Sequence, residues 1–268
     1  MFEIPGFETV QRGSHTVLIR PEWKASLLDD LLGDFDRVEP SRRRLYSHGR
    51  VAHFSYLPDG APARVFVRHA RRGGLIGAVL GGLYTAVERP LQELRAATAA
   101  RQAGVAVPEP LAVRATRVGG LFYRFTVITR EIENAQDLLT FATGTPGRKR
   151  EVLDRVADEM RRLHESGVYH ADLTMKNILL SGTSVYIIDL DKATLVDRRN
   201  GRLDMTNLAR LNRSVVKLLG TRGAVTRTDK LRFLRRYLGS RDRIKELSQD
   251  CAQGLWFHRL WWSLSGQA

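Results

Sequence analysis

Apolar and polar positions follow one period in the first half of this chain and another in the second. Pro21 to Leu32 (PEWKASLLDDLL) reads as a short helix, with proline in its first turn and Gly33 just past its end, after a loose start. Arg50 to Tyr56 and Ala63 to His69 are strand-like runs separated by Pro58-Asp59-Gly60, a turn signal, so a β-hairpin is predicted. Arg71 to Val87 is glycine-rich and ambiguous, whereas Pro90 to Gln102 (PLQELRAATAARQ) carries a starting proline, alanine-rich propensity and Gly104 as a stop, which predicts a helix. Extended runs at Leu111 to Thr116 and Leu121 to Thr129 add strands, giving a small sheet with one main helix. From about Ala135 the period turns helical. Arg148 to Ser166 places Val152, Val156, Met160 and Leu163 on one stripe with arginine and glutamate opposite, the pattern of an amphipathic core helix. A turn-rich loop and two short apolar runs, Ile178 to Leu180 and Val185 to Ile188, precede helical patterns over Asp204 to Leu219, Asp229 to Leu238 and Arg241 to the carboxyl terminus. Strands followed by helices predict an α+β bilobal arrangement, a β-rich lobe over 1–130 and a helical lobe over 131–268.

Composition narrows the partners. With 43% hydrophobic and 27% charged residues the chain can build a core, which excludes a disordered polymer. Its single cysteine, Cys251, excludes an intramolecular disulfide or a thiolate zinc cage, and a reducing cytoplasm fits. The start, MFEIPGFETV, shows no basic segment followed by an apolar one, so no secretory leader is expected. The longest uncharged apolar stretch, Leu75 to Val87, falls short of the roughly 20 residues of a spanning helix, and a soluble or peripheral chain is expected. Against 29 aspartates and glutamates stand 43 lysines and arginines, a net charge of +14 that favours an anionic partner: nucleic acid, an acidic membrane surface or a phosphorylated substrate. No interleaving of basic and aromatic residues resembles a nucleic-acid module, which disfavours the first.

The chemistry concentrates in His170-Ala171-Asp172-Leu173-Thr174-Met175-Lys176-Asn177 and, one short hairpin later, Ile187-Ile188-Asp189-Leu190-Asp191. A kinase catalytic loop has an aspartate that accepts the attacking hydroxyl's proton and an asparagine five positions on that holds a metal. A second aspartate beyond the next hairpin bridges metal to phosphate. Asp172, Asn177 and Asp189 have that spacing, which makes them the candidate catalytic set and makes Asn177 and Asp189 the candidate Mg2+ ligands. Hard oxygen ligands suit magnesium, which neutralises the charge of the transferred phosphoryl while the carboxylate orients the nucleophile. A site for ATP also needs a strand cation paired with a helical glutamate. Arg68 in Val65-Phe66-Val67-Arg68 and Glu93 are the candidates, with Glu88 competing for the pairing. Gly49, in Ser47-His48-Gly49-Arg50, is the candidate phosphate-covering turn, and Glu131 and Ile132, near the boundary between the halves, join the cofactor-binding set.

At these residues the chain resembles the lipopolysaccharide inner-core kinases, most closely the branch that phosphorylates 3-deoxy-D-manno-octulosonic acid (Kdo) on lipid A precursors. The resemblance rests on Tyr169-His170-Ala171-Asp172-Leu173, Asn177-Ile178-Leu179-Leu180 and Ile188-Asp189-Leu190-Asp191. It extends to the strand exit 68–77, to Val105-Ala106-Val107-Pro108-Glu109-Pro110, and to Asn207-Leu208-Ala209-Arg210-Leu211-Asn212-Arg213-Ser214. It implies a protein-kinase-like fold, ATP and Mg2+ as cofactors, a Kdo-bearing lipid A precursor as acceptor, and a peripheral place on the cytoplasmic side of the inner membrane against an anionic lipid surface. Arg42-Arg43-Arg44, Arg71-Arg72 and the aromatic run Leu255 to Trp262 suit such a surface. Ala171 stands where regulated kinases carry the arginine that docks a phosphorylated loop, so a constitutive enzyme is implied. Three departures from the protein-kinase pattern are Arg68 for lysine, Asp191 for glycine, and a cover with one glycine. The alternatives are a heptose or other small-molecule kinase of the same fold, or a catalytically silent adaptor at the membrane.

Overall fold

The computed structural model describes residues 4–33, 35, 38–48, 51–70, 82–85, 88–144, 146–196, 201–220 and 225–239. Gly49, Arg50, Arg71, Arg72, most of the 75–87 run and the whole of the segment from 240 onward, with its aromatic run, lie outside them. The chain forms two compact units, Met1–Thr98 with Pro108–Ile132, and Ala99–Val107 with Glu133–Ala268.

The first unit is an antiparallel sheet of seven strands: β1 (Glu8–Arg12), β2 (His15–Ile19), β3 (Arg44–His48), β4 (Val51–Tyr56), β5 (Val65–His69), β6 (Pro110–Val118) and β7 (Phe122–Arg130), in the order β1-β2-β6-β7-β5-β4-β3. The predicted hairpin is β4–β5, with Phe54 opposite Val67. The start of the chain is not loose but a hairpin of its own, β1–β2, in which Arg12 pairs with His15 around Gly13 at φ +59°. Its first strand, ETVQR, exposes both faces at the edge of the sheet, so no apolar alternation announced it.

In the middle of the sheet both faces are buried. Val17, Ile19, Val65, Val67 and Ile128 pack on one side with Trp23, Leu27 and Leu31 of the Pro21–Trp23 turn and helix α1 (Lys24–Leu32). Leu18, Val113, Phe125 and Val127 pack on the other with Leu91 and Leu94 of helix α2 (Glu88–Gln102). The two faces are apolar because each has its own helix to bury.

The second unit is helical: α3 (Leu138–Thr143), α4 (Lys149–Glu165), α5 (Gly201–Leu219) and α6 (Arg227–Leu238). The α4 stripe Val152, Val156, Met160 and Leu163 is buried, as its spacing predicts. Helices α4 and α6 run parallel, with Asp154 and Asp158 taking Arg232 and Arg236 in the same register, at 2.6 and 2.7 Å. Short strands β8 (Gln136–Asp137), β9 (Val168–Tyr169), β10 (Ile178–Ser181), β11 (Ser184–Ile187) and β12 (Thr194–Leu195) form a three-stranded sheet β11-β10-β8 and the pair β12-β9. Segment 99–107 joins this unit because the buried carboxylate of Glu159 accepts the Ala106 N–H and the Ala106 carbonyl accepts the Ile187 N–H at 2.9 Å. Burial outweighs these partners and Arg162 and pushes the Glu159 carboxyl above its ordinary range. Entry into the candidate catalytic loop needs Gly167: at φ +73°, a Cβ there would stand 2.5 Å from the Val196 carbonyl oxygen. Among the described residues no helix is long and apolar enough to cross a membrane.

Candidate active site

In the helical unit, His170 leaves β9 fully buried and organises the loop that follows. Its Nδ1 accepts the Asp172 N–H at 3.2 Å, which leaves the proton on Nε2 to be donated to the Ile188 carbonyl at 2.9 Å. Burial pushes the imidazole below its ordinary range and keeps it neutral. Asn207 of α5, with no exposed surface, clamps the same residue twice: its Oδ1 accepts the His170 N–H at 3.3 Å and its Nδ2 donates to the His170 carbonyl at 2.9 Å. Asn207 is in turn met by the buried His164, whose other ring nitrogen lies 2.8 Å from the Tyr237 hydroxyl.

Asp172 and Asn177 are brought together by this loop. The Asn177 Nδ2 donates to the Asp172 carbonyl at 2.8 Å, so the side-chain amide is oriented with its oxygen away from that bond. That Oδ1 takes no hydrogen bond among the described residues and is an oxygen ligand of the kind a hard divalent cation needs. The β10–β11 register, Ile178 opposite Ile187, sets the Asn177 carbonyl to accept the Ile188 N–H at 3.0 Å, beside Asp189. Asp189 is an exposed carboxylate at φ +63°, a backbone conformation that side-chain-bearing residues rarely adopt. Amide and carboxylate oxygens at these two positions fit Mg2+. The Asp172 carboxylate, 41% exposed, meets Arg210 of α5 at 3.2 Å through Oδ1, and its Oδ2 takes no hydrogen bond among the described residues.

In the sheet unit, Arg68 leaves β5 and pairs with Glu93 of α2. The competing Glu88 is engaged by Arg95, at 2.7 Å. Glu131 lies at the end of β7, but its buried carboxylate accepts from Arg64 Nε at 2.9 Å, Ser55 at 2.9 Å and the Tyr46 hydroxyl at 2.6 Å, and its N–H donates to the Arg64 carbonyl. The side chain thus ties β3 and β4 to the strand-entry segment. Ile132, half-buried, is the last residue of this unit. Gly49 lies outside the described residues. Of the arginine triplet, Arg42 binds Asp59 at 2.7 Å, and Arg43 donates to the Phe35 carbonyl and lies over the Phe54 ring, so two of its three members serve the fold.

Sequence reasoning gave Asn207, Arg210 and Ser214 no role. The signal available was polarity on the inward stripe of an amphipathic helix, since Asn207 and Ser214 are buried beside Leu208 and Leu211.

A solved structure, WaaP in complex with acyl carrier protein, superposes with a TM-score of 0.61 over 91% of this chain and 96% of that one, at 24% identity. The fold is therefore the α+β, bilobal, protein-kinase-like one. The family model described as lipopolysaccharide kinase (Kdo/WaaP) matches residues 50–237. Proteins named 3-deoxy-D-manno-octulosonic acid kinase are similar: that of Photobacterium damsela subsp. piscicida is 32% identical over 67% of this chain and 76% of its own length, and that of Vibrio cholerae serotype O1 is 35% identical over 59% and 67%. The chain belongs to the lipopolysaccharide kinase (Kdo/WaaP) family. It is accordingly a phosphotransferase of lipopolysaccharide biosynthesis that acts on a sugar hydroxyl, and membership implies ATP as the phosphoryl donor.

Proposed function

We propose that the chain transfers the γ-phosphoryl group of ATP, with Mg2+, to a hydroxyl of a Kdo sugar carried by a lipid A precursor. The observation that carries this reading is the loop geometry: a carboxylate with one oxygen uncommitted, five residues from an amide whose oxygen is presented, both on a backbone held by a buried neutral histidine. Asp172 accepts the hydroxyl proton and orients the oxygen for in-line attack. Asn177 and Asp189 hold the cation, which when bound neutralises phosphate charge. Arg68, steadied by Glu93, places a cation against the nucleotide phosphates. Gly49 and the backbone at Ile132 complete the nucleotide side, within an organisation of 1–130 for covering the nucleotide and 131–268 for chemistry and acceptor. The relatives named 3-deoxy-D-manno-octulosonic acid kinase support Kdo as acceptor.

The same reading places the protein peripherally on the cytoplasmic side of the inner membrane. The +14 charge and the exposed Leu45, next in sequence to the exposed Arg44, support an anionic lipid surface as the meeting place. Mass spectrometry of Kdo-lipid A precursor after incubation with ATP and Mg2+ tests the activity. One added phosphate on the Kdo-bearing lipid, and none on the lipid lacking Kdo, is expected. Transfer to heptose acceptors alone would replace the acceptor.

A further inference from the structure

One face of α5 addresses the catalytic loop residue by residue. Asn207 holds His170, Arg210 meets Asp172, and Ser214 accepts the Met175 N–H at 3.1 Å, positions i, i+3 and i+7 of a single stripe. Asn207 and Ser214 are buried, and what they hold of that loop is backbone. Arg210 differs on both counts, because its side chain is 39% exposed and its contact is with the carboxylate of the proposed base. An ion pair this exposed adds little to stability, and the loop is already anchored on either side, so holding it does not require Arg210.

The charge balance of the reaction does. A sugar acid is an anion, and bringing its carboxylate to an aspartate base sets two like charges together, a cost that a cation shared between them offsets. Ala171 supplies none beside the base, and Lys176 of the same loop lies four residues further on. Arg210 has five donors in a planar fork, and among the described residues its one hydrogen bond is the Nη1 contact to Asp172 Oδ1, while its Nε is buried without a partner. We propose that Arg210 is a specificity-determining residue whose guanidinium bridges the base and the acceptor's own carboxylate, delivering a hydroxyl of the same sugar to the free Oδ2 of Asp172. The inference rests on the reading of the acceptor as a sugar acid.

The test compares kcat/KM of the full chain on Kdo-lipid A precursor and on the same lipid with the Kdo carboxylate converted to a carboxamide. Wild type should prefer the acid by roughly ten- to a hundredfold, the worth of one charge-assisted hydrogen-bonded pair. Arg210→Gln should abolish the preference by slowing the acid more than the carboxamide, and Arg210→Lys, which keeps the charge without the fork, should retain part of it. Melting temperature and ATP binding are measured alongside; if Arg210→Gln does not fold, the Lys variant decides. Equal loss on both acceptors, which is what a residue acting only on Asp172 would give, overturns the inference and leaves the acceptor reading standing. An unchanged preference in the Lys variant with Gln unfolded, or no preference in wild type, overturns it likewise. Phosphorylation of neither lipid by wild type overturns the acceptor reading, and the inference with it.

Discussion

The two units hold their functional groups in different ways. In the helical unit the proposed base and metal ligands sit on backbone fixed by buried hydrogen bonds: Asn207 clamps both polar groups of His170, and His170 in turn holds the Asp172 N–H and the Ile188 carbonyl. In the sheet unit the proposed phosphate cation is the end of a long side chain, Arg68, steadied by the carboxylate of Glu93 at side-chain exposures of 22% and 13%. The contrast matches the demands on each. A general base works only within hydrogen-bond reach of one proton, so its backbone is over-determined, whereas a charge facing phosphate oxygens acts through a softer dependence on distance and tolerates a looser mount.

The sharpest way to break this contrast is Asp172→Asn, which keeps the backbone bonds and removes the proton acceptor; turnover should fall by about 10²- to 10⁴-fold with folding and ATP binding intact. Near-normal turnover would remove Asp172 from the mechanism. Asn207→Ala attacks the mount instead. It leaves the buried His170 N–H and carbonyl unpaired, each costing about 1–3 kcal/mol, so denaturant unfolding should show a loss of about 2–6 kcal/mol. A loss well below 1 kcal/mol would mean the loop is held by other means. Asn177→Ala should weaken the magnesium dependence of ATP binding without that loss of stability, read by titrating ATP with and without the ion.

In the sheet unit, Arg68→Ala should raise the ATP requirement and lower turnover together, while Arg68→Lys keeps measurable activity. Its coupling to Glu93→Gln in a double-mutant cycle should be about 0.5–3 kcal/mol, and coupling near zero would dissolve the pair. The smallest effect concerns the frame that carries α6. Burial raises the Asp229 carboxyl, but Lys149 and the Thr226 N–H and hydroxyl outweigh it and set its pKa below the ordinary 3.8. A depressed carboxyl stabilises the fold above its unfolded value and ceases to do so as pH falls through the folded one. Asp229→Asn should therefore cost up to about 1 kcal/mol at neutral pH, with the difference from wild type closing below pH 3.8. A difference that persisted in acid would trace to shape rather than charge.

What the sequence announced was what lies close along the chain. Asp172 and Asn177 are five residues apart and joined by a hydrogen bond, and the α4 stripe is a local period. What it concealed was made by folding. Glu131 reads as a boundary carboxylate until Tyr46, 85 residues away, and Ser55, 76 residues away, are brought onto it. Arg210 reads as one arginine among many until it meets Asp172 across 38 residues. Helix α3 escaped because its six residues are too few to show a period, and it starts on the Asp137 cap. The β1 strand escaped because an edge strand exposed on both faces has no apolar side to alternate.

The backbone at Asp189 has a consequence for the history of the chain. At φ +63° glycine would be more comfortable, and asparagine at least as tolerant, while the ordinary L residue carries a steric penalty of about 1–2 kcal/mol. Aspartate tolerates this conformation better than most side-chain-bearing residues, and it sets a carboxylate there that glycine would not. A descendant that had shed phosphoryl transfer would be free to drift to Gly or Asn at this position with no added backbone strain. In a laboratory series the same logic makes Asp189→Gly a variant that unfolds no sooner than its parent while losing transfer, and makes Asp189→Ala the poorer choice, since it adds backbone discomfort to the missing charge.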